Sequence, residues 1–240
     1  MKRIIQKIIL CVCAAVIAFC AWNIYDYYNE MHQTKDQFSQ FVTSVHAMDA
    51  ESPVSYENLY SQNSDYRGWI WFDSNLISLP IVQTDQNDSY LKMDLTKEES
   101  LGGIPFIDAA DSLDDQNITI YGHTVFMDDS DLVFTPLKQL LNQETYDQNK
   151  RFHIDWEDGI KTYQIFAVCN IDKDEDSWNY TQNIFQSDTE FYNFYHQAKD
   201  HSSISSDIDV KATDQLVTLQ TCAELYSSKK IVIVAKEINE

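Results

Sequence analysis

Three residues in this 240-residue chain have types and positions suited to covalent chemistry: a cysteine ending a strand, a histidine after a glycine, and a lysine opening the last strand. Cys222 closes the stretch Leu-Val-Thr-Leu-Gln-Thr-Cys (216–222), so its thiol emerges where the chain leaves the core and can meet both substrate and solvent. A thiol acts as a nucleophile only when a partner raises its thiolate fraction. Read alone, the position also fits a packed cysteine, or one joined to Cys169, the other cysteine outside the N-terminal apolar run. His123 ends Ile-Thr-Ile-Tyr-Gly-His (118–123), where an imidazole is exposed enough to move protons near neutral pH. Gly122 is expected to turn the chain sharply and to admit a substrate backbone. An ordinary turn histidine fits as well. Of the other histidines, His32 and His46 fall in the N-terminal segment, His153 inside a strand, and His196 and His201 on or after a helix. Lys230 lies in Lys-Lys-Ile-Val-Ile-Val-Ala-Lys (229–236), with seven residues, 223–229, between it and Cys222. If the two strands pair as a hairpin, both residues sit at one mouth, where a cation can hold a thiolate or an oxyanion. A lysine guarding a sheet edge against aggregation is the competing reading.

The elements that must position these groups are short strands. Apolar runs at 69–72, 79–82, 104–107, 118–121, 152–156, 161–171, 216–221 and 230–236 are bounded mostly by Asn, Asp, Ser or Gly. Eight such strands in about 170 residues predict a mainly β chain, closed as a barrel or stacked as a sandwich. Two helices interrupt them. One starts at Thr135-Pro136-Leu137, with proline at an allowed early position. The other begins at Ser187 or Asp188 with Glu190 as a capping partner and runs to about Lys199.

Upstream, residues 8–22 form an unbroken apolar run behind Lys2, Arg3 and Lys7. That order predicts a membrane anchor whose downstream part crosses the bilayer. The run is short for a full span, so a cleaved signal peptide is the alternative. Ala18-Phe19-Cys20 is a poor cleavage site, and Trp22, Tyr25, Tyr27 and Tyr28 follow as an interfacial belt would, both of which favour the anchor. The division expected is an anchor at 1–28, a helical stalk at 29–64 and a β domain at 65–240. In the stalk, Phe38, Phe41, Val42 and Val45 have amphipathic spacing, Ser52-Pro53 breaks it, and Tyr56, Leu59 and Tyr60 begin a second helix.

A net charge of −21 repels phosphate backbones, so nucleic acid is not an expected partner. The acidic run Asp172-Lys-Asp-Glu-Asp176 lacks the glycine and the glutamate of a calcium-binding helix–loop–helix at Ser177 and Asn183. No cysteine–histidine set has zinc spacing, and no glycine-rich phosphate loop is present. No cofactor and no metal are expected.

Together, Thr-Leu-Gln-Thr-Cys222, the upstream Tyr-Gly-His123 and the closing Lys-Ile-Val-Ile-Val-Ala-Lys resemble the sortases. Their pattern is Thr-Leu-x-Thr-Cys, a Gly-His about a hundred residues earlier, and Arg-x-Val-Val after the cysteine. Arg67-Gly68-Trp69-Ile70, Leu79-Pro80-Ile81-Val82 and Asp88-Ser89-Tyr90-Leu91 match recurrent family stretches too. The paired N-terminal helices, and a helix within the long connection before the cysteine strand, make class B the most similar branch. The resemblance implies a closed eight-stranded barrel with N-terminal helices and an inserted helix before the cysteine strand. It also implies a transpeptidase that cuts a Leu-Pro-x-Thr-Gly-like or class B sorting signal after Thr through a cysteine thioacyl intermediate. Its partners would be a secreted protein carrying the signal and an amine acceptor, peptidoglycan or a pilin lysine, outside a single-pass membrane anchor. Cys222 would be the nucleophile and His123 the acid/base, with Gln220, Thr221 and Glu224 near the substrate. Where the family has arginine this chain has Lys230, which keeps the charge but loses the planar fork. That departure leaves room for a degenerate sortase-like or adhesin-type extracellular domain that binds without catalysis, and a cysteine protease would use the same pair of residues.

Overall fold

The computed structural model describes residues 2–46, 56–100, 102–125, 132–223 and 228–238, with backbone alone at 34, 35 and 37–46. The chain divides into two compact units, Met1–Ala47 and Met48–Glu240.

The first unit is a single helix, α1 (Lys2–His46). It contains neither glycine nor proline, so nothing in the sequence interrupts the hydrogen-bond ladder. Its portion Lys2–Gln33 is long and apolar enough to cross a membrane, its most apolar 18-residue stretch having a mean hydropathy of 2.5. The helix runs unbroken past residue 28, where the stalk was expected to begin. The apolar stripe expected from Phe38 to Val45, and the break at Ser52-Pro53, lie outside the described side chains and residues.

The second unit opens with α2 (Tyr56–Gln62). There follow β1 (Tyr66–Trp71), β2 (Ser78–Val82), β3 (Phe106–Ile107), β4 (Asn117–Tyr121), β5 (Arg151–Trp156), β6 (Gly159–Asp172), β7 (Leu216–Cys222) and β8 (Lys229–Ile238). They close into a barrel in the order β1-β2-β3-β4-β7-β8-β6-β5. The predicted strands are all present, with β3 shorter than expected. Pro105 has no N–H to donate, and its carbonyl accepts the Val82 N–H at 3.1 Å just before β3 begins. Closure leaves no free edge, and β8 pairs with both β6 and β7, so Lys229 and Lys230 do not guard a sheet edge.

Between β4 and β5, Thr135–Leu141 forms a 3-10 helix. Asn142 then redirects the chain into α3 (Gln143–Gln148), its side chain accepting the N–H groups of Glu144 and Thr145. The inserted helix is α4 (Asp188–His201). Ser187 caps it by accepting the Glu190 N–H, while the Glu190 carboxylate reaches back to the Gln186 N–H at 2.6 Å. Phe191, Phe194 and Ala198 on α4 pack over Phe166, Cys169, Ile171, Val232 and Val234 of β6 and β8. Those strands are thereby covered on both faces, which explains why they read as near-continuous apolar runs rather than alternating ones.

Candidate active site

The site is assembled at one end of three neighbouring strands. Cys222, the last residue of β7, sits directly opposite Lys230 in the antiparallel β7–β8 register. Opposed residues share a face of the sheet, and the Lys230 Nζ donates to the Cys222 Sγ at 3.1 Å. On its other side β7 runs parallel to β4, with Tyr121 beside Gln220. One further ladder bond, from the Gly122 N–H to the Gln220 carbonyl at 2.9 Å, carries the pairing past the strand end. His123 follows at once, so the topology brings it to the same barrel end as Cys222. It is half-buried, and burial, aided by the charge of Lys92, holds its pKa below the ordinary imidazole value. A neutral imidazole near pH 7 is the form that can accept a proton.

Gly122 has a different role from the one expected. A Cβ there would meet the Phe134 ring at 2.2 Å, and the residue is buried. Its missing side chain therefore makes room for a core aromatic ring, not for a substrate backbone. The Phe134 N–H in turn donates to the His123 carbonyl at 3.3 Å, fixing the strand end from below.

The remaining predicted residues fall into three situations. The Gln220 side chain accepts from the Tyr180 hydroxyl at 3.0 Å. Thr221 is 1% exposed, with its hydroxyl 2.9 Å from that of Thr124. Glu224 lies outside the described residues. Cys169 is not joined to Cys222: both thiols are free, and Cys169 is buried beneath α4 with its Sγ 3.4 Å from the Ala198 carbonyl. Burial pushes that thiol up to about 12, so it stays protonated and inert. In the acidic run, Asp172 accepts the Asp174 N–H, while Asp176 accepts the Trp178 N–H and pairs with His201 at 2.6 Å. These two carboxylates hold their own loop together.

Two residues near the thiol were not anticipated. Tyr180 comes from the connection between β6 and α4. Burial first, and then the neighbouring Cys222 sulfur, hold its hydroxyl well above the ordinary tyrosine range. Thr124, directly after His123, bonds across to β7. Nothing marks Tyr180 in a polar loop sequence. Thr124 could have been found by extending the β4 pairing two residues past Gly122.

The Sortase domain family model matches residues 73–238. Sortase B of Staphylococcus aureus (strain NCTC 8325) is 28% identical over 99% of this chain and 98% of its own length. A solved structure titled Staphylococcus aureus sortase B-substrate complex matches with a TM-score of 0.73 at 29% identity, covering 85% of this chain and 94% of that one. The structure of Clostridium perfringens sortase B matches with a TM-score of 0.70 at 33% identity, covering 77% of this chain and 100% of that one.

Proposed function

The chain belongs to the sortase family of cysteine transpeptidases, and from that premise we propose that Cys222, His123 and Lys230 cut a C-terminal sorting signal and pass the new acyl end to an amine. The observation that carries this reading is the 3.1 Å contact between the Lys230 ammonium and the Cys222 sulfur. A cation at that distance can steady the negative charge that develops at the reacting centre as the sulfur attacks.

In the proposed reaction the neutral His123 takes the proton of the Cys222 thiol as the Sγ attacks the carbonyl carbon of the signal's threonine. The negative charge that develops on the carbonyl oxygen is met by Lys230 and a backbone N–H. The C–N bond breaks as His123 donates a proton to the departing amine, leaving a thioester on Cys222. An incoming amine attacks that thioester, His123 takes up its proton, and the Cys222 sulfur is released. The signal is of the Leu-Pro-x-Thr-Gly kind or a class B variant. The acceptor is a peptidoglycan amine or a pilin lysine, for cell-wall anchoring or pilus assembly. Helix α1 holds the enzyme in the membrane, with the barrel on the outer face. Gln220 and Glu224 would flank the bound signal, whereas Thr221 is buried with its hydroxyl engaged by Thr124 and is withdrawn from that role.

The test uses the full chain in detergent micelles, a panel of sorting-signal peptides and hydroxylamine as the amine. Hydroxamate formed by the wild type and absent from Cys222→Ala is the expected result. Peptide binding without hydroxamate would overturn catalysis and support the degenerate, binding-only reading that Lys230 in place of arginine invites. Free acid at a rate indifferent to amine concentration would indicate a protease.

A further inference from the structure

The bond between Thr124 and the cysteine strand lies where the β4–β7 ladder gives out. In a regular parallel ladder the N–H groups and carbonyls of the two strands alternate as partners. After the Gly122 N–H meets the Gln220 carbonyl, the next carbonyl on β7 to receive a donor from the β4 side is that of Cys222. It accepts instead from a side chain, the Thr124 hydroxyl, at 2.9 Å. Thr124 and Thr221 are each 1% exposed, and their hydroxyl oxygens are 2.9 Å apart. A hydroxyl has one proton to give. Because the Cys222 carbonyl can only accept, the Thr124 proton goes there, and the Thr221 hydroxyl is the donor to Thr124. The result is a directed chain, Thr221 to Thr124 to the Cys222 carbonyl, sealed from solvent.

Thr124 is itself held on its far side. The Val125 N–H donates to the Thr135 hydroxyl at 3.1 Å, and the Phe134 N–H holds the His123 carbonyl. Segment 122–125 is thus pinned from below by the 3-10 helix and its lead-in, and from the side by β7. One side of the Thr124 backbone carries His123, and its hydroxyl grips the residue that carries the thiol.

We propose that Thr124 is a positioning residue: its hydroxyl, by holding the Cys222 carbonyl, fixes the thiol-bearing strand end against the His123-bearing one. It touches neither the sulfur nor the imidazole in this role and takes no part in proton transfer. Its turnover test rests on the transpeptidase reading given above; its thiol-reactivity test does not.

The decisive comparison is Thr124→Ser against Thr124→Ala in the full chain, since these two variants differ by one hydroxyl and both lack the γ-methyl. Thr124→Val, which keeps the branched shape, is the third. Misplacing a catalytic group by about 1 Å can cost about 100-fold in rate. We expect kcat for hydroxamate formation in Thr124→Ala and Thr124→Val to fall roughly 10- to 100-fold below Thr124→Ser on the same scale, with KM within about twofold. Melting temperatures of Ser and Ala variants should agree within a few degrees. A purely structural threonine would move stability without separating kcat from KM. Alkylation of Cys222 by iodoacetamide, followed across pH, is the second readout. At each pH the alkylation rate of Thr124→Ala should lie below that of Thr124→Ser. Equal kcat in the Ser and Ala variants would overturn the proposal. If the wild type forms no hydroxamate, the transpeptidase reading fails on its own, and coincident alkylation profiles of the two variants would then overturn the positioning role.

Discussion

Lys230 faces Cys222 across the β7–β8 pair, with its ammonium 3.1 Å from the sulfur. Its neighbour Lys229 cannot share that position, because successive residues of a strand point to opposite faces, and Lys229 is paired instead with Asp172 on β6. Removing the Lys230 charge while keeping its stem, as in Lys230→Met, should lower hydroxamate formation by a factor of about 100 to 1,000, the range found when an oxyanion donor is deleted. Lys230→Arg should retain most activity, since the charge remains. Lys229→Met should stay within about twofold of wild type, as surface charges away from a site usually matter little. Wild-type rates in Lys230→Met would remove the lysine from the mechanism.

The half-buried His123 gives an expected pH dependence. Its pKa is held below the unfolded value of 6.5, so the unfolded chain binds its proton first as the pH falls. The stability associated with the neutral imidazole is therefore present above pH 6.5 and is lost progressively below it. His123→Gln should flatten the fall in Tm between about pH 6.5 and 5, relative to wild type. It should also abolish turnover at every pH. Parallel Tm profiles for the two proteins would contradict the assignment.

Asp111 titrates in the opposite sense. It is buried on the β3–β4 connection with the Thr119 N–H donating to its Oδ2 at 2.7 Å. Burial, with Asp108 and Asp115 nearby, raises its pKa from 3.8 to about 6. A folded value above the unfolded one contributes stability that is complete below pH 3.8 and lost as pH rises through about 6. Asp111→Asn keeps an acceptor for Thr119 and carries no charge. It should raise the Tm at pH 8 by roughly 2–4 °C, the shift that about 1 kcal/mol produces in a domain of this size, and change it little at pH 4. A lower Tm at pH 8 would show that the carboxylate is needed in its charged form.

Gly122→Ala places a methyl group against the Phe134 ring, with a 2.2 Å approach that no relaxation of the methyl can relieve. Overpacking of this kind costs about 1–3 kcal/mol. Because the displaced ring also holds the His123 carbonyl through its backbone, activity should fall along with stability. Phe134→Leu in the same chain should recover part of both, measured as a double-mutant cycle. Strictly additive losses would mean that the two residues do not compete for one space.

Much of this arrangement was legible in the sequence, for identifiable physical reasons. Within β8, Ile231–Ala235 announces itself as a strand because burial on both faces makes it continuously apolar, and Leu216–Cys222 does so through its β-branched and apolar content. The α4 cap at Ser187 and Glu190 is local chemistry, readable within four residues. Gly122 was misread because its constraint is a ring arriving from Phe134, twelve residues on, and neighbouring sequence says nothing of that. Thr124 was passed over for a related reason: its partner is 98 residues away, across a parallel pairing that no hairpin signal marks. Tyr180 reaches Gln220 from an irregular loop, where periodicity gives no direction.

The parallel junction of β4 with β7 also bears on when the protein becomes reactive. Strands that pair directly across so long a separation must close a large loop before they gain anything, and such contacts form late in folding. β7 and β8 come after the other six barrel strands in chain order, yet they sit between β4 and β6 in the barrel wall. A nascent chain therefore carries its histidine long before it has a thiol to serve, and the thiol meets its lysine only when the final strand docks. The cysteine is armed by completion of the fold, so truncated or half-folded chains present no competent nucleophile to the proteins around them.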